Sequence, residues 1–225
     1  MIIKKDYLIG AVAGFFTGAL ALVILSFLKI SFPYQYIIAL VFIPILWAAG
    51  VWFGDFLGAR AKPFFSQFGR YAAAGFLSTA IDFSVLNFTS YITGVTAGVI
   101  VGWVNAPGFL IAVINGYLWN KLWVFAPQTR FRSLTDPNLV WVKTGLFADF
   151  PKFLAVGIGG LIINSVLIIA LTTYAPVSII SAVGPSKWLN VAKFIANIAV
   201  IIWNFLGFKF FVFSAKGGSA SGGKK

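Results

Sequence analysis

Apolar residues form six stretches along the chain, separated by short segments that hold most of the polar and charged positions. The stretches cover residues 8–30, 36–58, 71–93, 99–124, 152–174 and 189–213. Each is long enough to cross a hydrocarbon core of about 30 Å, which takes about 20 helical residues. The pattern predicts an all-α polytopic bundle of six transmembrane helices.

Part of the sequence occurs twice. Phe68 to Asp82 aligns without gaps on Phe150 to Asn164, and each copy has a basic residue two positions after the Phe and a glycine seven residues before the Asp or Asn. A repeat longer than one helix indicates a duplicated unit, a frequent design in membrane transporters. We therefore expect the last four helices to form two tandem hairpins, related by a pseudo-two-fold axis along the membrane normal.

These patterns divide the chain into an extra amino-terminal hairpin, a four-helix domain and a tail. The hairpin covers residues 1–63, and the domain covers residues 64–214. Within the domain, repeat one (64–125) and repeat two (150–214) are joined by a cytoplasmic loop at 126–149. Residues 215–225 have the Gly/Ser composition of a flexible linker.

The composition fits a membrane protein and excludes several chemistries. Sixty per cent of the residues are hydrophobic and only 10% are charged, and the mean hydropathy is +0.95. There is no Cys or His, which excludes thiol catalysis, disulfides and ordinary zinc sites. We expect neither a metal nor a cofactor.

The net charge of +12 follows the expected topology. All but three of the 17 Lys and Arg residues lie at or beyond alternate helix ends; the exceptions are Lys29, Lys187 and Lys193. This positive-inside bias predicts that both termini are cytoplasmic. It also predicts attraction to anionic membrane lipid rather than to nucleic acid.

Two glycine trios lie in the first hairpin, Gly10, Gly14 and Gly18 in one helix and Gly50, Gly54 and Gly58 in the other. Four-residue spacing puts each trio on one helix face, where another backbone can approach closely. Packing within the hairpin and an oligomer interface both remain open, and we expect self-association of so small a bundle.

Two polar residues in the repeats lie near the expected membrane midplane. Asp82 follows Tyr71 by eleven residues and Asn164 follows Phe153 by eleven, about 16 Å along a helix. A central carboxylate costs about 2.5–3.5 kcal/mol, so we expect Asp82 to be paired, protonated or facing water. Such residues serve either as hydrogen-bonded links between helices or as part of a translocation path.

Other polar residues continue this line. Lys193, Asn197 and Asn204 share one face of the last helix, and Asn115 lies in the fourth. Lys193 is one turn inside the expected outer end of its helix. It would therefore either extend to the outer headgroups or join the path.

Four cations mark the cytoplasmic ends of the repeats. Arg70 and Lys152 begin the first helix of each copy, and Lys121 and Lys209 lie near the end of the second. A two-fold arrangement would bring them around one axis, where they could bind a lipid phosphate. The alternative is four independent interfacial cations.

The ordered motifs of both copies resemble the GtrA-like family, which is itself similar to the membrane domain of some dolichol-phosphate mannose synthases. They are an aromatic-x-Arg/Lys start, a glycine, a mid-helix acid, and an Asn–basic pair before an aromatic-Val-Phe ending. The matching positions are Arg70, Gly75, Asp82, Asn120 and Lys121 in repeat one, and Lys152, Gly157, Asn204 and Lys209 in repeat two. The chain departs from the pattern where Asn164 and Phe208 replace the equivalents of Asp82 and Asn120.

The resemblance implies a protein of the cell's inner membrane that works with a polyprenyl-phosphate-linked sugar supplied by a partner glycosyltransferase. Its expected activity is to flip that lipid for surface polysaccharide synthesis or glycosylation. The alternative is a non-transporting anchor that organises the transferase. A single central carboxylate without a second acid, His or metal cluster does not support an enzyme.

In the flipping hypothesis, two groups of residues have different tasks. The phosphate headgroup would bind at Arg70, Lys121, Lys152, Lys209 and Asn120. The translocation path would pass Asp82, Asn164, Asn115, Asn204, Asn197 and Lys193.

Overall fold

A computed structural model describes residues 5–62, 64–124 and 150–207, and within these ranges every regular element is a helix. The helices are α1 (Lys5–Phe27), α2 (Gln35–Arg60), α3 (Phe64–Thr93), α4 (Ile100–Val124), α5 (Phe150–Thr173), α6 (Val177–Val183) and α7 (Pro185–Gly207). One π-helical turn lies within α2 at Ile38–Phe42, and another ends α4 at Asn120–Val124. The predicted cytoplasmic loop at 126–149, the tail at 215–225 and Lys209 lie outside the described residues.

Four of these helices, α1, α2, α4 and α5, are long and apolar enough to cross a membrane. Two further helices, α3 with 30 residues and α7 with 23, are as long but carry charged residues within their length, including Arg70, Asp82 and Lys193. Large apolar side chains such as Phe53, Phe76 and Phe194 are exposed around the outside of the bundle. An exposed apolar surface of this extent suits lipid, and the chain is a multi-pass membrane protein.

Turn residues mark boundaries of α3, α6 and α7. Gly94, with φ of 70°, follows the last residue of α3, and Gly184, with φ of 90°, separates α6 from α7. Both conformations are strained for residues that have a Cβ. Pro185 is the first residue of α7, a position where its missing N–H costs no helical hydrogen bond.

Helix α3 is central in the bundle. It packs against α1, α2, α4 and α7, whereas α5 packs between α4 and α7. Helices α1, α3 and α5 begin at one end of the bundle, and α2, α4 and α7 terminate there. We call it the Arg70 end. An apolar cluster at this end contains Val51, Ala73, Ala74, Trp123 and Val124. A second cluster fills the opposite half, with Leu86, Val101, Val104, Ile168, Leu189 and Ala196.

The glycine trios pack helices within the chain. A Cβ on Gly18 would lie 1.8 Å from the carbonyl oxygen of Ala39, so α1 and α2 approach more closely there than any larger residue allows. The first trio therefore packs within the hairpin. In the second trio, a Cβ on Gly54 would lie 2.7 Å from the carbonyl oxygen of Phe65 in α3. Packing within the hairpin was the wrong interpretation for Gly54, which instead fits the hairpin onto α3.

Candidate functional site

A buried ion pair lies inside the bundle. The ammonium Nζ of Lys193 in α7 is 2.7 Å from Oδ2 of Asp82 in α3, and their side chains are 0% and 5% exposed. The interpretation that Lys193 extends to the outer headgroups is wrong. Because α7 begins at Pro185, Lys193 lies eight residues inside the helix, about 12 Å from its start.

Three asparagines complete the surroundings of the ammonium. Lys193 Nζ donates hydrogen bonds to Oδ1 of Asn105 at 2.5 Å and to Oδ1 of Asn164 at 3.0 Å. Asn105 Nδ2 donates to Asn164 Oδ1 at 3.0 Å, and Asn164 Nδ2 donates to Asn197 Oδ1 at 2.7 Å. With Asp82, three oxygens match the three donors of the ammonium group. We call Asp82, Lys193, Asn105, Asn164 and Asn197 the polar centre.

The polar centre joins helices from both copies of the repeat. Asp82 and Asn164, the equivalent positions of the two copies, both contact Lys193. Asn105 is buried there with 0% exposure, although sequence reasoning did not select it as a site residue. The sequence feature that could have identified Asn105 is a carboxamide within the apolar sequence of α4, two residues before Pro107.

A cavity of about 160 Å³ extends from the polar centre toward the Arg70 end. Within the described ranges, its lining comes from α3, α4, α5 and α7. Asp82 and Asn197 lie at one end of the lining, and Tyr71 and Asn120 lie toward the other. Tyr71 to Asp82 spans eleven residues of α3, about 16 Å. Since a single water needs only about 10–15 Å³ of such space, the cavity has room for a larger group.

Three buried oxygens of this lining have no hydrogen-bond partner among the described residues. They are Oδ1 of Asp82, Oδ1 of Asn120 and Oδ1 of Asn204. A buried acceptor without a partner costs about 1–3 kcal/mol, and native proteins retain few of them. All three belong to residues that line this one cavity, which makes it suited to a group that donates hydrogen bonds.

Small and polar residues of α3 also face the cavity. Gly75, Ser78 and Thr79 line it together with Asp82. Asn115 lies behind this wall, where its Nδ2 donates to Ser78 Oγ at 2.9 Å. Of the residues expected on a path, Asp82, Asn197 and Asn204 therefore line the cavity. The others, Asn115, Asn164 and Lys193, support the lining from behind.

Arg70 is engaged by the amino-terminal hairpin. Its side chain is 5% exposed, and its Nη2 lies 3.2 Å from Oδ2 of Asp6 in α1 and 3.3 Å from Oδ1 of Asp55 in α2. Trp123 Nε1 donates to the other oxygen of Asp6 at 2.9 Å, and Ser66 Oγ donates to Asp55. Sequence reasoning placed Arg70 at a helix end and did not consider Asp6 and Asp55 as its partners.

Of the other cations predicted for the headgroup, the two that the structure describes, Lys121 and Lys152, do not line the cavity. Lys121 is partly buried in the π-helical turn that ends α4, and Lys152 is exposed in the first turn of α5. Lys209 is outside the described residues. Asn120 lines the cavity, as Asn204 does. Binding of a phosphate by these residues stays a prediction.

With its buried ion pair and adjoining cavity, this helical bundle is a multi-pass membrane protein with polar groups in its interior. The model of the GtrA/DPMS transmembrane domain family matches residues 70–213, and the chain belongs to this family. The resemblance indicated by the sequence motifs is thereby confirmed. Comparisons with curated proteins and with solved structures gave no significant match. The matched region begins at Arg70, so α1 and α2 lie outside it.

Proposed function

We propose that this protein translocates a polyprenyl-phosphate-linked sugar across the cell's inner membrane and catalyses no covalent step. In this proposal α1, α2, α3, α4, α5 and α7 all cross the membrane, and α3–α4 and α5–α7 form the two repeated hairpins. Both termini and the Arg70 end face the cytoplasm, where a partner glycosyltransferase supplies the lipid. Family membership supports a link to polyprenyl-phosphate sugar pathways.

The cavity between Tyr71 and the polar centre is the observation that carries this proposal. It lies in the half of the bundle toward the Arg70 end, while the second apolar cluster fills the opposite half. Asn87 and Asn190 further join α3 to α7 in that opposite half, exchanging hydrogen bonds of 2.8 and 2.9 Å. A cavity that leads only halfway through the bundle suits a carrier captured with access from one side.

Such a carrier would lower the free-energy cost of moving the polar headgroup through the membrane. Dragging a sugar phosphate through hydrocarbon is prohibitive because its polar groups lose water without gaining partners. A polar cavity supplies partners for the head, while the prenyl tail stays among the apolar side chains on the outside of the bundle. In this proposal Lys121, Lys152 and Lys209 hold the phosphate near the cytoplasmic surface, since Arg70 is already paired with two carboxylates.

Filling the cavity tests the proposal. Gly75 lines the cavity, and a Cβ built on it meets nothing within 4 Å, so Gly75→Leu adds side-chain volume there at little steric cost. Gly50 in α2 is equally open but does not line the cavity, which makes Gly50→Leu the matched control. In liposomes with a labelled polyprenyl-phosphate sugar, we expect Gly75→Leu to slow headgroup crossing at least about tenfold and Gly50→Leu to leave it unchanged.

The same variants separate translocation from the anchor hypothesis. If the parent protein gives no crossing above empty liposomes but recruits the glycosyltransferase to the membrane, the translocation proposal is abandoned. Equal crossing by the parent and by Gly75→Leu would show that the cavity is not part of the route.

A further inference from the structure

The chemical character of the cavity distinguishes between the two parts of a lipid-linked sugar. Among the described residues, its lining contains no Lys or Arg, and Oδ1 of its one carboxylate, Asp82, is buried without a hydrogen-bond partner. The ammonium group of Lys193 forms an ion pair with Asp82 Oδ2 and donates hydrogen bonds to the oxygens of Asn105 and Asn164. A phosphate would therefore meet the carboxylate of Asp82 and neutral hydroxyl and amide groups, but no cation among the described lining residues.

We infer that the cavity is a subsite for an uncharged, hydroxyl-rich sugar ring and that it selects against acidic sugars; this inference rests on the proposed function. A hydroxyl group both donates and accepts hydrogen bonds. Hydroxyl groups can therefore bond to the carboxylate of Asp82 at one end of the lining, or to either end of the amides of Asn120 and Asn204 farther along it. A carboxylate on the sugar only accepts, and it would lie beside Asp82 without a cation to balance it.

The walls of the cavity fit the flat sides of such a ring. Tyr71, Phe109 and Phe153 supply aromatic surface for the C–H faces, and Gly75, where a Cβ would meet nothing within 4 Å, leaves space on α3. The three unpartnered oxygens come from α3, α4 and α7. A ring held between these helices can donate hydrogen bonds in several directions at once. The phosphate stays outside the cavity, nearer to the basic residues of the cytoplasmic surface.

Binding by the full-length protein in lipid nanodiscs tests this division. The probes are three short-chain prenyl phosphates that carry glucose, glucuronic acid or no sugar. We expect the glucosyl lipid to bind more tightly than the sugar-free lipid, and the glucuronyl lipid to bind at least about tenfold more weakly than the glucosyl lipid. Glucose and glucuronic acid differ only in the group at one ring carbon, so the comparison isolates the charge.

Two substitutions on α7 identify the subsite. Asn204→Leu removes one unpartnered acceptor and should weaken glucosyl-lipid binding by roughly twofold to tenfold, the value of one hydrogen bond, with no effect on the sugar-free lipid. Asn190→Leu is the control, because Asn190 is on the same helix and pairs with Asn87 outside the cavity lining. It should leave the affinity for all three probes unchanged.

The outcomes separate this inference from the proposed function. The subsite is overturned if the glucuronyl lipid binds as tightly as the glucosyl lipid. It is also overturned if Asn204→Leu binds both sugar lipids with the affinity of the parent protein. Both conclusions hold even if headgroup crossing is normal. Absence of crossing for every lipid in the liposome assay overturns the proposed function instead. The subsite is supported if Asn204→Leu loses the preference for the glucosyl lipid over the sugar-free lipid and Asn190→Leu keeps that preference.

Discussion

Removing the cation of the polar centre should be among the most destabilising single changes in this bundle. Lys193→Met keeps the length of the side chain but leaves the buried carboxylate of Asp82 without its partner at 2.7 Å. The oxygens of Asn105 and Asn164 lose a donor as well. Breaking a buried ion pair from one side costs about 3–5 kcal/mol. For a chain of this length, with about 2–4 °C per kcal/mol, that lowers Tm by roughly 6–20 °C.

A double-mutant cycle measured by thermal unfolding in detergent micelles checks the cause. Lys193→Met combined with Asp82→Leu removes both charges, and we expect the double variant to recover at least about 2 kcal/mol of the loss, because well-packed apolar pairs replace buried ion pairs at little cost. Lys187→Met is the control, since Lys187 is exposed on the same helix and should change stability by less than about 0.5 kcal/mol. Additive losses in the cycle, or a Lys193→Met variant as stable as Lys187→Met, would refute the reasoning.

Three further substitutions test neighbouring contacts. Gly108→Ala would put a Cβ 2.7 Å from the carbonyl oxygen of Asp82, and we expect a loss of about 1–3 kcal/mol in the same melt; an unchanged Tm would contradict the close approach. Gly18→Ala should also lower Tm, because its Cβ would meet the carbonyl oxygen of Ala39 at 1.8 Å, whereas Gly50→Ala should not. Arg70→Met should destabilise the attachment of α1 and α2, seen as faster amide hydrogen exchange in both helices; protection equal to that of the parent would show that the hairpin does not depend on this cation.

Much of the helical framework could be predicted from hydropathy alone. The apolar stretches at 36–58, 99–124 and 152–174 differ by no more than two residues from the described ends of α2, α4 and α5. The repeat also identified Asp82 and Asn164 as equivalent positions, and the structure brings both to one ammonium group. Apolar length and internal duplication can be recognised in the sequence itself, so predicting from them does not require knowledge of the packing.

Charged residues near helix starts were harder to place. The sequence predicted that the third and last long helices begin at 71 and 189, but they begin at Phe64 and Pro185. Those extra turns contain polar residues and therefore do not register as apolar sequence. Arg70 and Lys193 consequently lie inside their helices, where each needs carboxylates from another helix. Which carboxylate serves which cation depends on tertiary packing, so Asp6 and Asp55 could not be assigned to Arg70.

The division of charge between the two regions follows from these pairings. Arg70 and Lys193 are both buried and each has carboxylate oxygens within 3.3 Å. Because neither cation is left uncompensated, the interior lacks a strong electrostatic attraction for a phosphate. The three unpartnered oxygens instead favour a donor of hydrogen bonds. A lipid-linked sugar that used this bundle would therefore be held by its sugar inside and by its phosphate among basic residues at the Arg70 end, and the phosphate would need a rearrangement of the polar centre to pass Asp82.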